Sequence, residues 1–348
     1  MRDYIVPIFI PHYGCPHQCV FCDQRAITGV RQPIGGSEVA AVIAENLERA
    51  GPGRRVEIAY YGGSFTALPA EVQAKLLTPA KACLDSGQVA AIRVSTRPDA
   101  IDAAAAERLI AFGVSTVELG AQSLDDRVLT AAGRGHTAAD TAKAVAILRE
   151  YRLNTGLQLM PGLPKEDWAS LIHTANRTFE LRPDFIRIYP TVVLAKTRLA
   201  DMYHAGQYRP LTLPAAVARA AFLKLLADRH ATPVIRLGLQ ATDGLSAPGA
   251  IVAGPYHPAF GEKVAAFIFN LMVMSLLDDY PDNSGPLTIH HHPRDHSKLR
   301  GQSGENLTNW RSHAGTIRLV ADWPQENELG IRRGELLFVI NSAMLTSC

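Results

Sequence analysis

Cys15-Pro16-His17-Gln18-Cys19-Val20-Phe21-Cys22 places three thiols within eight residues, directly after a short apolar run from Ile5 to Pro11. Three cysteines cannot close a tetrahedral site by themselves. A structural zinc site takes four protein ligands, so His12 or His17 would have to supply the fourth. A 4Fe-4S cluster has four irons, and three thiolates leave one of them open to an exogenous ligand. The lack of a second Cys or His pair favours the cluster, and an open iron is a reactive one.

Outward from that loop the chain alternates short apolar runs with longer amphipathic stretches. The runs are Tyr4 to Ile10, Val56 to Tyr61, Ala91 to Ser95, Thr116 to Gly120, Asn154 to Met160 and Phe185 to Tyr189. Helical patterns follow at 37–50, 69–86, 102–112, 138–151 and 166–180, with a sixth at 214–229. Six βα units in succession require a parallel sheet with right-handed crossovers, either doubly wound or curled into a barrel. The placement of the unusual residues points to the barrel. Cys15 to Cys22 follow the first strand, Gly62-Gly63-Ser64 the second, Thr96-Arg97-Pro98 the third, Gln122-Ser123 the fourth, Pro161-Gly162-Leu163-Pro164 the fifth and Pro190-Thr191 the sixth. Each lies at or beyond a strand's C-terminal end, where barrel-type α/β folds gather their chemistry around one mouth.

Composition limits what this barrel belongs to. With 348 residues, 47% of them hydrophobic, the chain can bury a large core as one large domain or a large and a small one. A formal charge of +2 gives no long-range field, so any nucleic-acid partner has to be argued from a local site. Of the five cysteines, three share the N-terminal loop, Cys83 sits in a helical stretch and Cys348 ends the sequence. That distribution is no disulfide framework and fits a reducing cytoplasm. Met1-Arg2-Asp3-Tyr4 lacks the order of a signal peptide. The stretch Val264 to Leu277 contains Asn270 and is short for a bilayer span, so it reads as a buried helix and no membrane partner is expected.

The three-then-two spacing of Cys15, Cys19 and Cys22, with Phe21 before the last, resembles the cluster motif of radical S-adenosylmethionine (SAM) enzymes. Glu118-Leu-Gly-Ala-Gln122-Ser-Leu-Asp-Asp126, Gly133-Arg-Gly-His136 and Gln158-Leu-Met-Pro-Gly-Leu-Pro164 resemble the Elongator catalytic subunit and, more distantly, the oxygen-independent coproporphyrinogen oxidases. The resemblance covers residues 4 to about 262. It implies a partial, six-stranded (β/α) barrel of the TIM type with a small α+β C-terminal domain. It also implies a 4Fe-4S cluster on the three cysteines and SAM held by Phe21, Gly62, Gly63, Ser95, Gln122, Arg134 and Gln158. Gly62-Gly63 would let SAM approach the backbone closely, although Ser64 stands where the family carries Glu. Ser95 stands where porphyrin-related enzymes place a ribose-binding carboxylate, and a hydroxyl can still hydrogen-bond a ribose. Arg134 suits the SAM carboxylate because its planar fork can bind both oxygens. His136 either borders the substrate cavity or caps the helix that begins near Thr137.

Beyond the sixth unit, Gly254-Pro-Tyr256-His257-Pro-Ala-Phe-Gly261 forms a rigid loop like the C-terminal extension of the Elongator-type proteins, so Tyr256 and His257 become substrate-side candidates. In His290-His291-His292 and His296, consecutive histidines alternate direction on a strand, and only two would face one ion. Ser297-Lys298-Leu-Arg300-Gly301-Gln-Ser-Gly304 leads into a helix and then a strand. A Gly-x-x-Gly loop in that place is how KH modules clamp a nucleic-acid backbone, which makes Lys298, Arg300, Gly301 and Gly304 RNA-contact candidates against a plain helix cap. The expected divisions are a barrel over 1–230, a barrel-closing extension over 231–284 and a small α+β, KH-like domain over 285–348. The expected activity is reductive cleavage of SAM to a 5'-deoxyadenosyl radical that abstracts hydrogen, in modification of tRNA. A flavodoxin- or ferredoxin-type donor would supply the electron, in the cytoplasm. The alternatives are a radical SAM oxidoreductase on a small molecule such as a porphyrin, or a non-catalytic cluster or haem carrier.

Overall fold

The computed structural model describes residues 4–10, 15, 17–23, 34–51, 53–240, 242–280 and 286–347. The expected βα alternation is present. Strands β1 (Tyr4–Phe9), β2 (Val56–Tyr61), β3 (Ala91–Thr96), β4 (Val114–Gln122), β5 (Asn154–Leu159) and β6 (Phe185–Ile188) lie side by side in that order, and each neighbouring pair is parallel. Between them run α1 (Gly36–Ala50), α2 (Ala70–Asp85), α3 (Ala103–Ala111), α4 (Asp126–Ala131), α5 (Ala138–Glu150) and α6 (Trp168–Glu180). The helices start where the sequence places acceptors for their free amides. Asp102 accepts the N–H of Ala105, Thr137 that of Asp140 and Asp167 that of Ser170. The parallel sheet curls into the expected half-barrel, with these helices on its outer face.

Register assigns every strand residue to one of two faces. The face against the helices is apolar and buried: Val6, Ile8, Ile58, Tyr60, Ile92, Val94, Val117, Leu119, Leu157, Leu159, Ile186 and Ile188. The inner face is polar. Pairing of Ala59 with Arg93, Ser95 with Glu118, Glu118 with Gly156 and Gln158 with Arg187 puts Glu57, Tyr61, Arg93, Ser95, Glu118, Gln158 and Arg187 together inside the curl. Four of them form an ionic ladder. Arg93 holds both Glu57 oxygens, with Nε to Oε1 at 3.0 Å and Nη2 to Oε2 at 2.7 Å. Its Nη1 lies 2.5 Å from Glu118 Oε1, the same oxygen that Arg187 Nη2 reaches at 2.9 Å. Phe185 lies under the Arg93 guanidinium, 5.2 Å from ring centroid to Cζ. A side chain at Gly156 would run into that ring, so the β5 glycine makes room for it.

After β6 come β7 (Val193–Leu194) and α7 (Arg198–His204), with the short α9 (Asp243–Ser246) and β9 (Ile251–Ala253) returning from later in the chain; β7 and β9 pair antiparallel. Residues 1–211 and 240–256 make one compact unit, and residues 212–239 and 257–348 a second. The second holds α8 (Leu213–Arg229), β8 (Val234–Leu237), α10 (Phe260–Asp279), β10 (Leu287–His291), α11 (His296–Arg300), α12 (Glu305–Ala314), β11 (Ile317–Val320), β12 (Glu328–Arg333) and β13 (Leu336–Asn341). These divisions fall elsewhere than residues 230 and 284, because α10 packs on α8, α11 and α12 and so draws the 212–239 segment into the second unit.

At 20 residues, α10 is longer than its apolar run suggested, and by length and composition it could cross a membrane. It serves as the core helix of its unit, with Phe260, Val264, Ile268, Phe269, Met272 and Val273 buried. Its Asn270 Oδ1 accepts from Asn309 Nδ2 and Trp310 Nε1, each at 3.0 Å. In the sheet, ordered β11-β10-β12-β13, β10 and β11 are parallel while β10–β12 and β12–β13 are antiparallel. Cys83 is half-buried in α2, and Cys348 and His12 lie outside the described residues.

The ladder should carry stability. Removing one partner of a buried ion pair leaves a charge without compensation, at a cost of about 3–5 kcal/mol. Glu118→Ala strips a partner from two guanidiniums and should lower the unfolding free energy by about that amount in equilibrium denaturation. Arg49→Ala, which breaks an exposed pair with Glu45 on α1, should produce no measurable change.

Candidate cofactor site

The cysteine loop leaves the C-terminal end of β1 and is fastened at its centre. The Val20 N–H donates to the Ala132 carbonyl at the end of α4 (3.0 Å), and its carbonyl accepts from the Leu199 N–H of α7 (2.7 Å). Phe21 is half-buried between two apolar groups, Val128, Ala132 and Leu163 on one side and Val193, Leu199 and Tyr208 on the other. Its visible role is to wedge the loop in place. Cys19 is buried, Cys15 and Cys22 are half-buried, and all three are free thiols. Burial, reinforced by the neighbouring sulfurs, pushes the Cys22 thiol up to about 12 and raises Cys15 as well, against the lowering influence of Arg134.

Cys15 and Cys22 therefore resist ionisation on their own, and a cationic group would be needed to hold them as thiolates. Among the described residues no three His, Cys, Asp or Glu side chains converge on the position of a single metal ion. A cluster that gives each sulfur its own iron does not require that convergence, so the donor set fits an iron-sulfur cluster. His17 is exposed, with its ring against Gly135, where a side chain would overlap it.

Arg134, buried at the start of the loop into α5, connects this cysteine loop to the strand ends. Its Nη1 donates to Cys19 Sγ at 3.1 Å and its Nη2 to the Gly120 carbonyl at 2.6 Å, while its buried Nε has no partner. Gly120 sits where β4 and β5 slip register between Leu119 and Gln122. Beyond that irregularity Gln122 lies in the left-handed region, φ 68°, its Oε1 accepting from Gln158 Nε2 at 3.0 Å. A strained non-glycine residue at the mouth of a barrel is a common mark of a working site. The structure therefore gathers Cys19, Arg134, Gln122 and Gln158.

At the end of β2, Gly62 (φ 76°) and Gly63 (φ 57°) adopt consecutive left-handed conformations that a side chain would strain. Ser64 is wholly buried and lies 3.1 Å from Thr96 Oγ1, which in turn is 2.7 Å from Thr66 Oγ1. Its side chain thus ties β2 to β3. Ser95 is half-buried on the inner face. Thr137, not His136, caps α5, in a reciprocal box with Asp140. His136 is buried, and neither ring nitrogen makes a well-formed hydrogen bond.

Tyr256 closes the first unit and is half-buried. His257 opens the second, where its Nδ1 accepts the Ala259 N–H at 3.1 Å beside the head of α10. Also in the second unit, Gly301 and Gly304 stand between α11 and α12, and Glu305 Oε1 accepts the Gln302 N–H of that loop at 3.3 Å. Lys298 pairs with buried Asp295 at 3.0 Å, and Arg300 is exposed. His291 is buried with Nε2 3.2 Å from His296 Nδ1, while His290 turns the other way to Asp322, so the histidine run alternates as strand geometry requires.

Sequence reasoning passed over the ladder, the Ser64–Thr66–Thr96 hydroxyls and the bidentate Arg97–Asp99 pair at 2.7 and 2.9 Å. The sequence shows only that Glu57, Arg93, Glu118 and Arg187 each interrupt an apolar strand; the register of the sheet puts them on one face.

Residues 9–178 match the family described as "Radical SAM superfamily", and residues 183–268 match "Radical_SAM C-terminal domain". A "tRNA uridine(34) acetyltransferase" of Methanocaldococcus jannaschii is 27% identical over 76% of this chain and 55% of its own length. "Elongator complex protein 3" of Saccharomyces cerevisiae is 24% identical over 61% of this chain and 46% of its own. The chain therefore spans about half the length of these curated relatives. Among solved structures, the archaeal Methanocaldococcus infernus Elp3 with an N-terminal deletion superposes with a TM-score of 0.60 and 21% identity, covering 77% of this chain and 63% of that one.

His136 gives the site a pH signature. Burial first, then Arg134 and Arg97, lower its pKa from 6.5 to about 4. The unfolded chain binds a proton over that interval and the folded chain does not, so this contribution is whole above pH 6.5 and is lost as pH falls toward 4. Denaturation of the cofactor-free protein should show a loss on the order of 3 kcal/mol across that window, and His136→Leu should flatten it.

Proposed function

The chain belongs to the radical SAM superfamily, and on that premise we propose that it binds a 4Fe-4S cluster through Cys15, Cys19 and Cys22, cleaves SAM reductively and acts in tRNA modification. The observation that carries the reading is Arg134, whose guanidinium joins the central cysteine to the backbone of β4. When bound, the reduced cluster and SAM supply a 5'-deoxyadenosyl radical, and the family to which this enzyme belongs uses both cofactors.

The residues of this chain do the rest. Arg134 would offset thiolate charge, and its buried Nε, which has no partner, is a donor that a carboxylate of SAM could use. Gly62 and Gly63 carry no side chain to block the approach of the SAM amino group, and Gln122, held by Gln158, offers an amide at the end of β4. Ser95 remains a hydroxyl for the ribose on the inner face. His136 stays neutral at physiological pH and can border the substrate.

Transfer RNA as the substrate is supported by the tRNA uridine(34) acetyltransferase among the relatives. The second unit adds an observation of its own. The order β10, α11, Gly301-Gln302-Ser303-Gly304, α12, β11, with the two strands parallel, supports reading this loop as a KH-like backbone clamp. Lys298, Arg300, Gly301 and Gly304 are the contacts that such a clamp would use. The electron would come from a flavodoxin- or ferredoxin-type donor.

Anaerobic reconstitution should load about four irons per chain, and dithionite with SAM should then release 5'-deoxyadenosine. Cys19→Ala should abolish both; zinc uptake without iron, or equal release from the variant, would overturn the assignment. Bulk tRNA should raise 5'-deoxyadenosine yield and change its own nucleoside composition. Ser303 already sits at φ 52°, a conformation that Asp tolerates, so Ser303→Asp adds charge to the loop without new strain. It should weaken tRNA binding about tenfold in a filter assay, and unchanged binding would remove the clamp from the reading.

A further inference from the structure

Four tyrosines of the first unit divide into two kinds. Tyr60 and Tyr208 are buried, and each donates its hydroxyl to a backbone carbonyl at 2.6 Å, to Leu76 and Gly162 respectively. Tyr61 and Tyr189 are only half-buried, and both are held from the other side. Arg187 Nη2 donates to the Tyr61 oxygen at 3.1 Å and Nη1 to the Tyr189 oxygen at 2.9 Å. A guanidinium can only donate, so each phenol oxygen is the acceptor and keeps its own O–H to give. Among the described residues no acceptor takes either proton.

We propose that Tyr61 and Tyr189, steadied by Arg187, determine substrate specificity by donating their hydroxyls to the ring carbonyl oxygens of a pyrimidine of the uracil type. This rests on the tRNA reading above and names the residues that would recognise the base. Parity places Tyr61 and Arg187 on the inner face, and Tyr189 follows two residues after Arg187 with its N–H on the Leu159 carbonyl at 2.8 Å. Phe9, its ring centroid 6.2 Å from that of Tyr61, adds an apolar wall for a flat ring. The charge of Arg187 is already met by Glu118 at 2.9 Å, so the pair presents neutral donors and selects a neutral acceptor over a phosphate. Burial raises the Tyr61 pKa, which keeps that proton in place. Two donors match a ring with two carbonyls, and cytosine offers one.

Tyr61→Phe and Tyr189→Phe remove the hydroxyls and keep the rings, and thermal melting checks that both variants fold. In the reconstituted enzyme each should lower kcat/KM for tRNA about fivefold, chiefly through KM, as expected for the loss of one neutral hydrogen bond. Tyr151→Phe, which removes an exposed hydroxyl bound to Glu107, should match the wild type. Ligand-observed NMR with free uridine and cytidine gives a second readout: wild type should prefer uridine, and the two variants should lose the preference. If tRNA drives turnover in every variant at the wild-type kcat/KM and the preference persists, the phenol assignment falls while the tRNA reading stands. If tRNA leaves even the wild type unaffected, both fall.

Discussion

One carboxylate oxygen, Glu118 Oε1, pairs with two arginines inside the curled sheet, and the architecture of the first unit depends on it. Arg93 brings β3 and, through Glu57, β2; Arg187 brings β6. A half-barrel has an inner face that its helices cannot cover, and an apolar lining there would favour collapse or association. A compensated ionic lining avoids both. It costs desolvation, so its geometry has to be good, and the bidentate grip of Arg93 on Glu57 supplies that.

The cysteine loop has a comparable dependence on Arg134. Among the described residues, polar contacts from Val20 to α4, from Val20 to α7 and from Cys19 to Arg134 hold the loop, together with the packing of Phe21. Arg134 is itself anchored on the Gly120 carbonyl, at the register slip that turns Gln122 into its left-handed conformation. Thus a β4 irregularity, an arginine and a thiol form one mechanical unit, and a disturbance at any of them reaches the other two.

Much of this was legible in advance. The six runs and the turns after them gave the parallel sheet, and Cys15, Cys19, Cys22, Gln122 and Arg134 stood out by spacing and motif. Arg93 and Glu118 did not, because a single charge within an apolar run reads as noise until register shows that its neighbours on other strands share its face. Tyr61 and Tyr189 escaped notice for a similar reason: their partner is 126 residues away from one and two from the other. The extent of α10 was underestimated because Glu262, Lys263, Asp278 and Asp279 lie outside the apolar run at its two ends, while Asn270 within the run is satisfied by Trp310 and Asn309.

Taken together, the charges of the first unit are arranged by depth. Within the curl, two arginines meet two glutamates and the sum is zero. At the mouth, Arg97 is answered by Asp99, but among the described residues no carboxylate pairs with Arg134. A buried guanidinium whose partners are a thiol and a carbonyl is under-compensated as it stands. Anionic groups bound at that point would complete it, both cluster thiolates and the carboxylate of an amino acid. The interior charges are therefore compensated within the protein, whereas Arg134 at the mouth has no carboxylate partner among the described residues.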